Sequence, residues 1–255
     1  MNIDEYQTMR EVEDSYWWYV GFRHIYAALL DEFCGDAAAG RVLDAGCGTG
    51  AFMVFLTERY GPKRLTGLDF SQEALDFCAQ RGFDDLVRAS VVEVPFDDSN
   101  FDLVVSLDVL CHRSIPDELD PLREFRRVLA PEGYLLLNLP AFQFIYSEHD
   151  MAVHTKHRYL NWQVEAMLRA TGFEPLVITY ANFFTFPAIA VVRLAQRALK
   201  LFAAEVDDVE HKSDLNPLPE TANNLLTGIL KVEASLVTRV SLPFGSSVTA
   251  LARAV

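Results

Sequence analysis

RVLDAGCGTGA occupies residues 41–51. A short apolar strand ends at Asp44, glycines at 46, 48 and 50 turn the backbone, and residues 50–60, GAFMVFLTERY, have the spacing of a helix. The glycines permit a sharp turn and a close approach by a ligand, because no Cβ stands in the way. The helix N-terminus just beyond supplies free amide donors and a partial positive charge. Strand, glycine turn and helix together form a cradle for a nucleotide-like ligand at the carboxyl edge of a parallel sheet.

The chain on either side repeats the same rhythm. RLTGLDF (64–70) is a second strand that ends in Asp69, 23 positions after Gly46. A carboxylate in that register accepts hydrogen bonds from a ribose diol in nucleotide-binding α/β folds. Ser71 then caps a helix that Gly82 stops. A third strand is expected over Leu86–Val94, and the apolar FDLVVSLDVL (101–110) reads as a central parallel strand. Helix PDELDPLREFRRVL, a Pro131-Glu132-Gly133 turn and strand YLLLNLP follow. Strict βαβα alternation predicts an α/β, doubly wound, Rossmann-like sheet. A helix over 161–171, a strand over 174–182 and a last strand over 246–255 bring it to seven strands.

Three segments stand outside that rhythm. Residues 1–35 read as a helical roof, with helix over 1–33 and the aromatic run Tyr16-Trp17-Trp18-Tyr19, followed by Arg23. Four adjacent rings cannot share one helix face, so the run either clamps the helix to the sheet or roofs the cradle. The segment after 141 carries His149, Asp150, His154, His157 and Arg158 on the cradle's edge. Residues 183–245 form a mostly helical insert before the last strand, read as a cap over the substrate. Its first helix has Arg193, Arg197 and Lys200 on one stripe, and an acidic EVDDVEH segment follows. The α/β core is thus 36–182 with 246–255.

Bulk properties narrow the function. A formal charge of −14 over 255 residues argues against nucleic acid as partner. Cys34, Cys47, Cys78 and Cys111 lack metal-type spacing and suit a reduced, cytoplasmic setting. The first thirty residues carry acids rather than a secretory signal, and no apolar run is long enough to span a bilayer.

With these motifs placed, the chain resembles the class I S-adenosylmethionine-dependent methyltransferases over about residues 40–182 and the final strand. VLDAGCGTGAF is similar to the first glycine motif and GLDFSQEAL to the second. VPFDDSNFDLVVSLDVL resembles the stretch past the adenine, and LAPEGYLLLNLP the fifth strand. The resemblance implies S-adenosylmethionine as cofactor. It assigns Asp44, Gly46, Cys47 and Gly48 to the loop at the methionine portion, and Asp69 with Phe70 to the ribose. Asp108 and Val109 fall near the amino acid end and the transferred methyl. Ser90 beside Val91 stands at the adenine, where many members have an acid. Trp18 and Arg23 would reach the cofactor from the N-terminal roof, Arg23 at the methionine carboxylate.

Methyl transfer often needs a proton acceptor, for which His112, His149, Asp150 and His154 are the candidates. No metal is expected, since a second carboxylate is missing from the histidine cluster. The expected partner is a small or medium, partly hydrophobic methyl acceptor, methylated at O or N, with the protein a monomer or homodimer. The basic helix of the insert leaves a membrane surface as an alternative contact. Two other readings stand beside methyl transfer. Gly46-x-Gly48-x-x-Ala51 also fits the loose glycine pattern of an NAD(P)-dependent oxidoreductase. Asp44 directly before the glycines and an antiparallel last strand count against it. The third reading is a non-catalytic, cofactor-binding regulatory protein.

Overall fold

A computed structural model describes residues 3–202 and 218–255. Its elements run α1 (Ile3–Val12), α2 (Trp17–Phe33), β1 (Arg41–Ala45), α3 (Ala51–Tyr60), β2 (Arg64–Asp69), α4 (Gln72–Gln80), β3 (Leu86–Arg88) and β4 (Phe101–Leu107). Then come α5 (Leu119–Val128), β5 (Leu129–Pro140), α6 (Glu148–Ala152), α7 (Asn161–Ala170), β6 (Phe173–Ala181), α8 (Phe186–Phe202), α9 (Glu220–Ala234) and β7 (Ser247–Ala254). The seven strands form one sheet in the order β3-β2-β1-β4-β5-β7-β6. Only β7 is antiparallel to its neighbours, β5 and β6. The carboxyl ends of β1, β2, β4, β5 and β6 therefore share one edge.

Period-two alternation sorts the core into two layers. Val42, Leu103, Val105, Leu136 and Leu251 face a layer that includes α2, α3 and α9. Leu43, Val104, Leu135, Leu137 and Ala250 face the opposite layer, with Leu122, Phe125, Val164 and Leu168 of α5 and α7. Helix α5 shows why its sequence chooses that side. Leu122, Phe125 and Val128 recur at helical spacing and are buried, while arginines occupy the positions between them. Ser71 caps α4 by accepting the Ala74 N–H at 3.3 Å, as its sequence position predicts.

The structure corrects four expectations. The helix expected over 1–33 is two helices, broken at residues 13–16, because α1 turns away to lie against the glycine loop and α4. The strand expected over Leu86–Val94 stops at Arg88. Beyond it Ser90 turns the chain, its carbonyl accepting the Glu93 N–H at 3.1 Å, and Val91 and Val94 both drop into the same core layer. The strand expected to reach Leu110 ends at Leu107, where Asp108 takes a positive φ of 58°. The Pro131-Glu132-Gly133 turn lies within a longer β5 as a register shift against β4.

The 183–245 insert contributes α9 to the α2 layer, where it packs on α2. Gly21 of α2 makes that approach possible, since a Cβ there would lie 2.2 Å from Leu230 Cδ1. Buried Glu233 joins α9 to the end of β6 by accepting the backbone N–H groups of Asn182 and Phe183. The acidic segment of the insert and the side chains of Arg197 and Lys200 lie outside the described residues. Among the described residues, no helix is long and apolar enough to cross a membrane. Gly21→Val should lower stability by about 1–3 kcal/mol through overpacking against Leu230. Urea unfolding measures it, and Leu230→Ala in the same chain should restore part of the loss.

Candidate functional site

The site is built on the shared carboxyl edge. After β1, the N–H groups of Gly46 and Cys47 both donate to the Leu68 carbonyl, at 2.7 and 3.0 Å, which pins the loop to the end of β2. Gly46 has φ +93°, and a Cβ on it would lie 2.2 Å from Val109 Cγ2. The β1 and β4 loops are therefore in direct contact, and only glycine fits at the junction.

Asp69 and Asp44 stand behind this loop. Asp69 accepts the Gly48 N–H through Oδ2 and the Ser71 N–H through Oδ1, both at 2.9 Å. Burial raises its pKa, and these backbone donors oppose the shift. Asp44 is 2% exposed, and its Oδ2 has no hydrogen-bond partner among the described residues. Burial, with the Asp69 charge second, pushes its pKa up to about 7. An orphaned buried carboxylate oxygen is costly and suits a ligand that brings a donor. Cys47 points the other way, its Sγ 3.8 Å from Cys78 Sγ in a small buried cluster beneath the loop.

The remaining cofactor candidates divide. Phe70 is 72% exposed, free to face a ligand beside Asp69. Ser90 lies in the turn after β3, while the side chain of Val91 is committed to the core. Trp18 packs on its own helix, with ring centroids 4.4 Å from Phe22 and 5.1 Å from Tyr19. Arg23 donates to the backbone carbonyls of Glu13 and Asp14 at 3.1 Å, which fastens α1 to α2. It lines a cavity of about 340 Å³ along the flank of α3, with Asp14, Ala51, Val54, Phe55, Glu58 and Arg81.

Asp108 stands just past the end of β4. Its two carboxylate oxygens accept from Asn138 Nδ2 at 3.0 and 3.1 Å, and Asn138 Oδ1 accepts the Thr249 hydroxyl at 2.7 Å. Burial pushes its pKa up to about 7. Tyr26 of α2 is buried in the core layer, its ring against Phe22 and Phe52. The aromatic run left open whether it clamps the helix or roofs the cradle; Trp17 is buried in the core of the α2 layer, with Tyr16 and Trp18 packed against that core. Tyr6 and Glu13 were missed altogether, because nothing in their spacing shows that α1 folds back onto the glycine loop.

The histidine segment is sewn to the loop after β4. Lys156 N–H donates to the Cys111 carbonyl at 2.7 Å and Arg113 N–H to the His154 carbonyl at 2.9 Å. The rings of His112 and His154 stand 5.5 Å apart. Burial lowers both, His112 to about 4, so both are neutral at pH 7. His149 lies in α6. His157 turns towards Glu118 and Tyr159 instead. Asp150 is 1% exposed and held bidentately by Arg158, at 2.9 and 3.0 Å, while also accepting the Ser147 N–H. With its oxygens so engaged, Asp150 serves the structure of the segment rather than standing open as a base.

Comparison with known proteins agrees with this geometry. Residues 43–137 match the methyltransferase domain family. A demethylmenaquinone methyltransferase of Staphylococcus epidermidis is 37% identical over 118 residues, 42% of this chain and 48% of that protein. A "Probable phthiotriol/phenolphthiotriol dimycocerosates methyltransferase 2" of Mycobacterium ulcerans is 36% identical over 104 residues, 39% of each. The chain spans about half the length of the curated relatives it matches, or less. Among solved structures, a SAM-dependent methyltransferase of Thermotoga maritima, described as a possible histamine N-methyltransferase, superposes with TM-score 0.60. It is 17% identical, and the match covers 98% of this chain and 95% of that one. The match to the methyltransferase domain family is confined to residues 43–137, and the sheet and helices of the whole chain share the fold of S-adenosylmethionine-dependent methyltransferases.

The Asp150–Arg158 pair makes a direct prediction about the segment. Arg158→Met leaves a buried carboxylate without its cation and should cost about 3–5 kcal/mol, read by chemical denaturation.

Proposed function

We propose that this protein transfers a methyl group from S-adenosylmethionine to an O or N atom of a small or medium organic acceptor with apolar character. The observation that carries the reading is the pair of acids behind the glycine loop. Asp69 sits at the end of β2, where a ribose diol binds in such folds. The orphaned Oδ2 of Asp44 lies below the loop that would meet an amino acid tail. When bound, the donor supplies an electrophilic methyl on a sulfonium. The chain's task is to align the acceptor with that methyl and to take its proton.

Asp108 is our first choice for the proton. It lies at the end of β4 beside the glycine loop, and a carboxylate pushed up to about 7 is matched to a base near neutral pH. The second reading keeps the base among the histidines, with His112 in the loop after β4, His154 stitched to it and His149 in α6.

An aromatic wall supports an apolar acceptor. Phe142, just past the end of β5, stacks on Tyr180 near the carboxyl end of β6 at 4.7 Å, and Phe186 and Phe244 of the insert join it. Phe144 and Phe184 at its margin are 44% and 47% exposed. Demethylmenaquinone and phthiotriol dimycocerosates, named for two relatives, are acceptors of that character. On this reading the 183–245 insert bounds the acceptor side of the site.

Isothermal titration with S-adenosylhomocysteine tests the donor site. The wild type should bind one equivalent, and Asp69→Ala should weaken binding at least about 10-fold by removing a charged hydrogen-bond partner. Absence of binding by the wild type would refute the proposal. Methyl transfer to acceptors found by screening hydroxylated aromatics and amines with labelled donor should rise with pH through about 7, as Asp108 loses its proton. Asp108→Asn should lower turnover about 10²-fold and abolish that limb while homocysteine-product binding persists. A limb unchanged in the variant would take the role of base away from Asp108.

A further inference from the structure

Helix α1 lies against the residues assigned to the donor. Met9 stands over the loop, its Cε 3.1 Å from where a Cβ on Gly48 would be. Tyr6 reaches the Ser71 side chain and the field of the Asp69 carboxylate. Both groups that α1 covers, Gly48 and Asp69, are ones a nucleotide-like ligand must approach.

The junction between α1 and α2 is fastened to the same loop. Glu13, whose side chain is 4% exposed, accepts the hydroxyl of Thr49 and pairs with Arg81 at 2.7 Å. Arg81, with its side chain 7% exposed, also donates through Nε to the Thr49 carbonyl at 2.9 Å and pairs with Asp14. Arg81 is the C-cap of α4, so this network joins three separate parts of the chain: the end of α1, the glycine loop and the end of α4. Arg23 secures the carbonyls of Glu13 and Asp14 from the side of α2. A buried carboxylate and guanidinium are expensive to desolvate, and a network of this kind stabilises one arrangement only while every partner is in place.

We propose that Glu13 is a positioning residue of the donor site, acting through Thr49 and Arg81 as the latch that holds α1 closed over the glycine loop. The inference rests on the donor reading of that loop. Its consequence is kinetic. The donor enters and its product leaves only when α1 lifts, so the latch sets the exchange rates more than the affinity. Thr49 is suited to this role because its hydroxyl donates to Glu13 while its carbonyl accepts from Arg81, so one loop residue holds both partners.

Two measurements on the full chain decide it. Hydrogen–deuterium exchange of the free protein should show α1 amides exchanging about 10-fold faster in Glu13→Gln, the loss of one charge-assisted hydrogen bond, with β1, β4 and β5 unchanged. Stopped-flow mixing with S-adenosylhomocysteine should show association and dissociation both about 10-fold faster, with the ratio changed far less. Thr49→Val removes the hydroxyl without touching the ion pair and should move both readouts in the same direction, by less. Unchanged α1 exchange in both variants overturns the latch, whatever the ligand does. Should the wild type fail to bind S-adenosylhomocysteine, the donor reading falls, and the exchange data still decide whether Glu13 holds α1.

Discussion

The contact between Gly46 and Val109 is the constraint on which the site depends. It brings the turn after β1 against the turn after β4, two strands adjacent in the sheet, with no room for a side chain between them. The Leu68 carbonyl ties the same loop to β2. Three strand ends are thereby held in one arrangement, and Asp44, Asp69 and Asp108 each follow from it. Such an arrangement is rigid because it is made of backbone and packed side chains, not of long flexible arms.

A second set of interactions crosses the sheet. Thr249 of β7, Asn138 of β5 and Asp108 beyond β4 form a hydrogen-bonded line, and the first two are wholly buried. Polar groups inside an apolar sheet are costly unless each is satisfied. Here the Thr249 hydroxyl turns the Asn138 amide so that its nitrogen faces Asp108. The antiparallel strand at the chain's end thus reaches the candidate chemistry through one side-chain amide. The same logic applies on the opposite side of the loop, where Glu13, Thr49 and Arg81 satisfy one another beneath α1.

Local pattern was a good guide wherever local pattern decides the outcome. Apolar alternation and the glycine turn located β1, β2, β4 and their helices, and Ser71 announced the start of α4. It failed where burial overruled propensity. Val91 and Val94 look like strand residues, yet both go to the core from an irregular turn, buried in the same cluster as Leu122, Phe125 and Val128 of α5. Arg23 carries the right chemistry for a carboxylate, but the carbonyls of Glu13 and Asp14 reach it first. Asp150 carries the right chemistry for a base, but Arg158, eight residues on, folds back onto it.

The sequence by itself determined the βαβ alternation, the glycine cradle, the acid at the end of β2 and the seven-strand count. These are properties of short segments, set by periodicity, turn geometry and the absence of Cβ atoms. Only the tertiary structure decided how the rings of the aromatic run pack, which carboxylates are spent on structural pairs, and that α1 lies against the loop. Those outcomes depend on contacts that only the folded chain makes, from Asp150 with Arg158, eight positions apart, to Glu13 with Thr49 and Asn138 with Thr249, 36 and 111 positions apart. No local signal encodes them, because their free energy exists only once the sheet has brought both partners to the same edge.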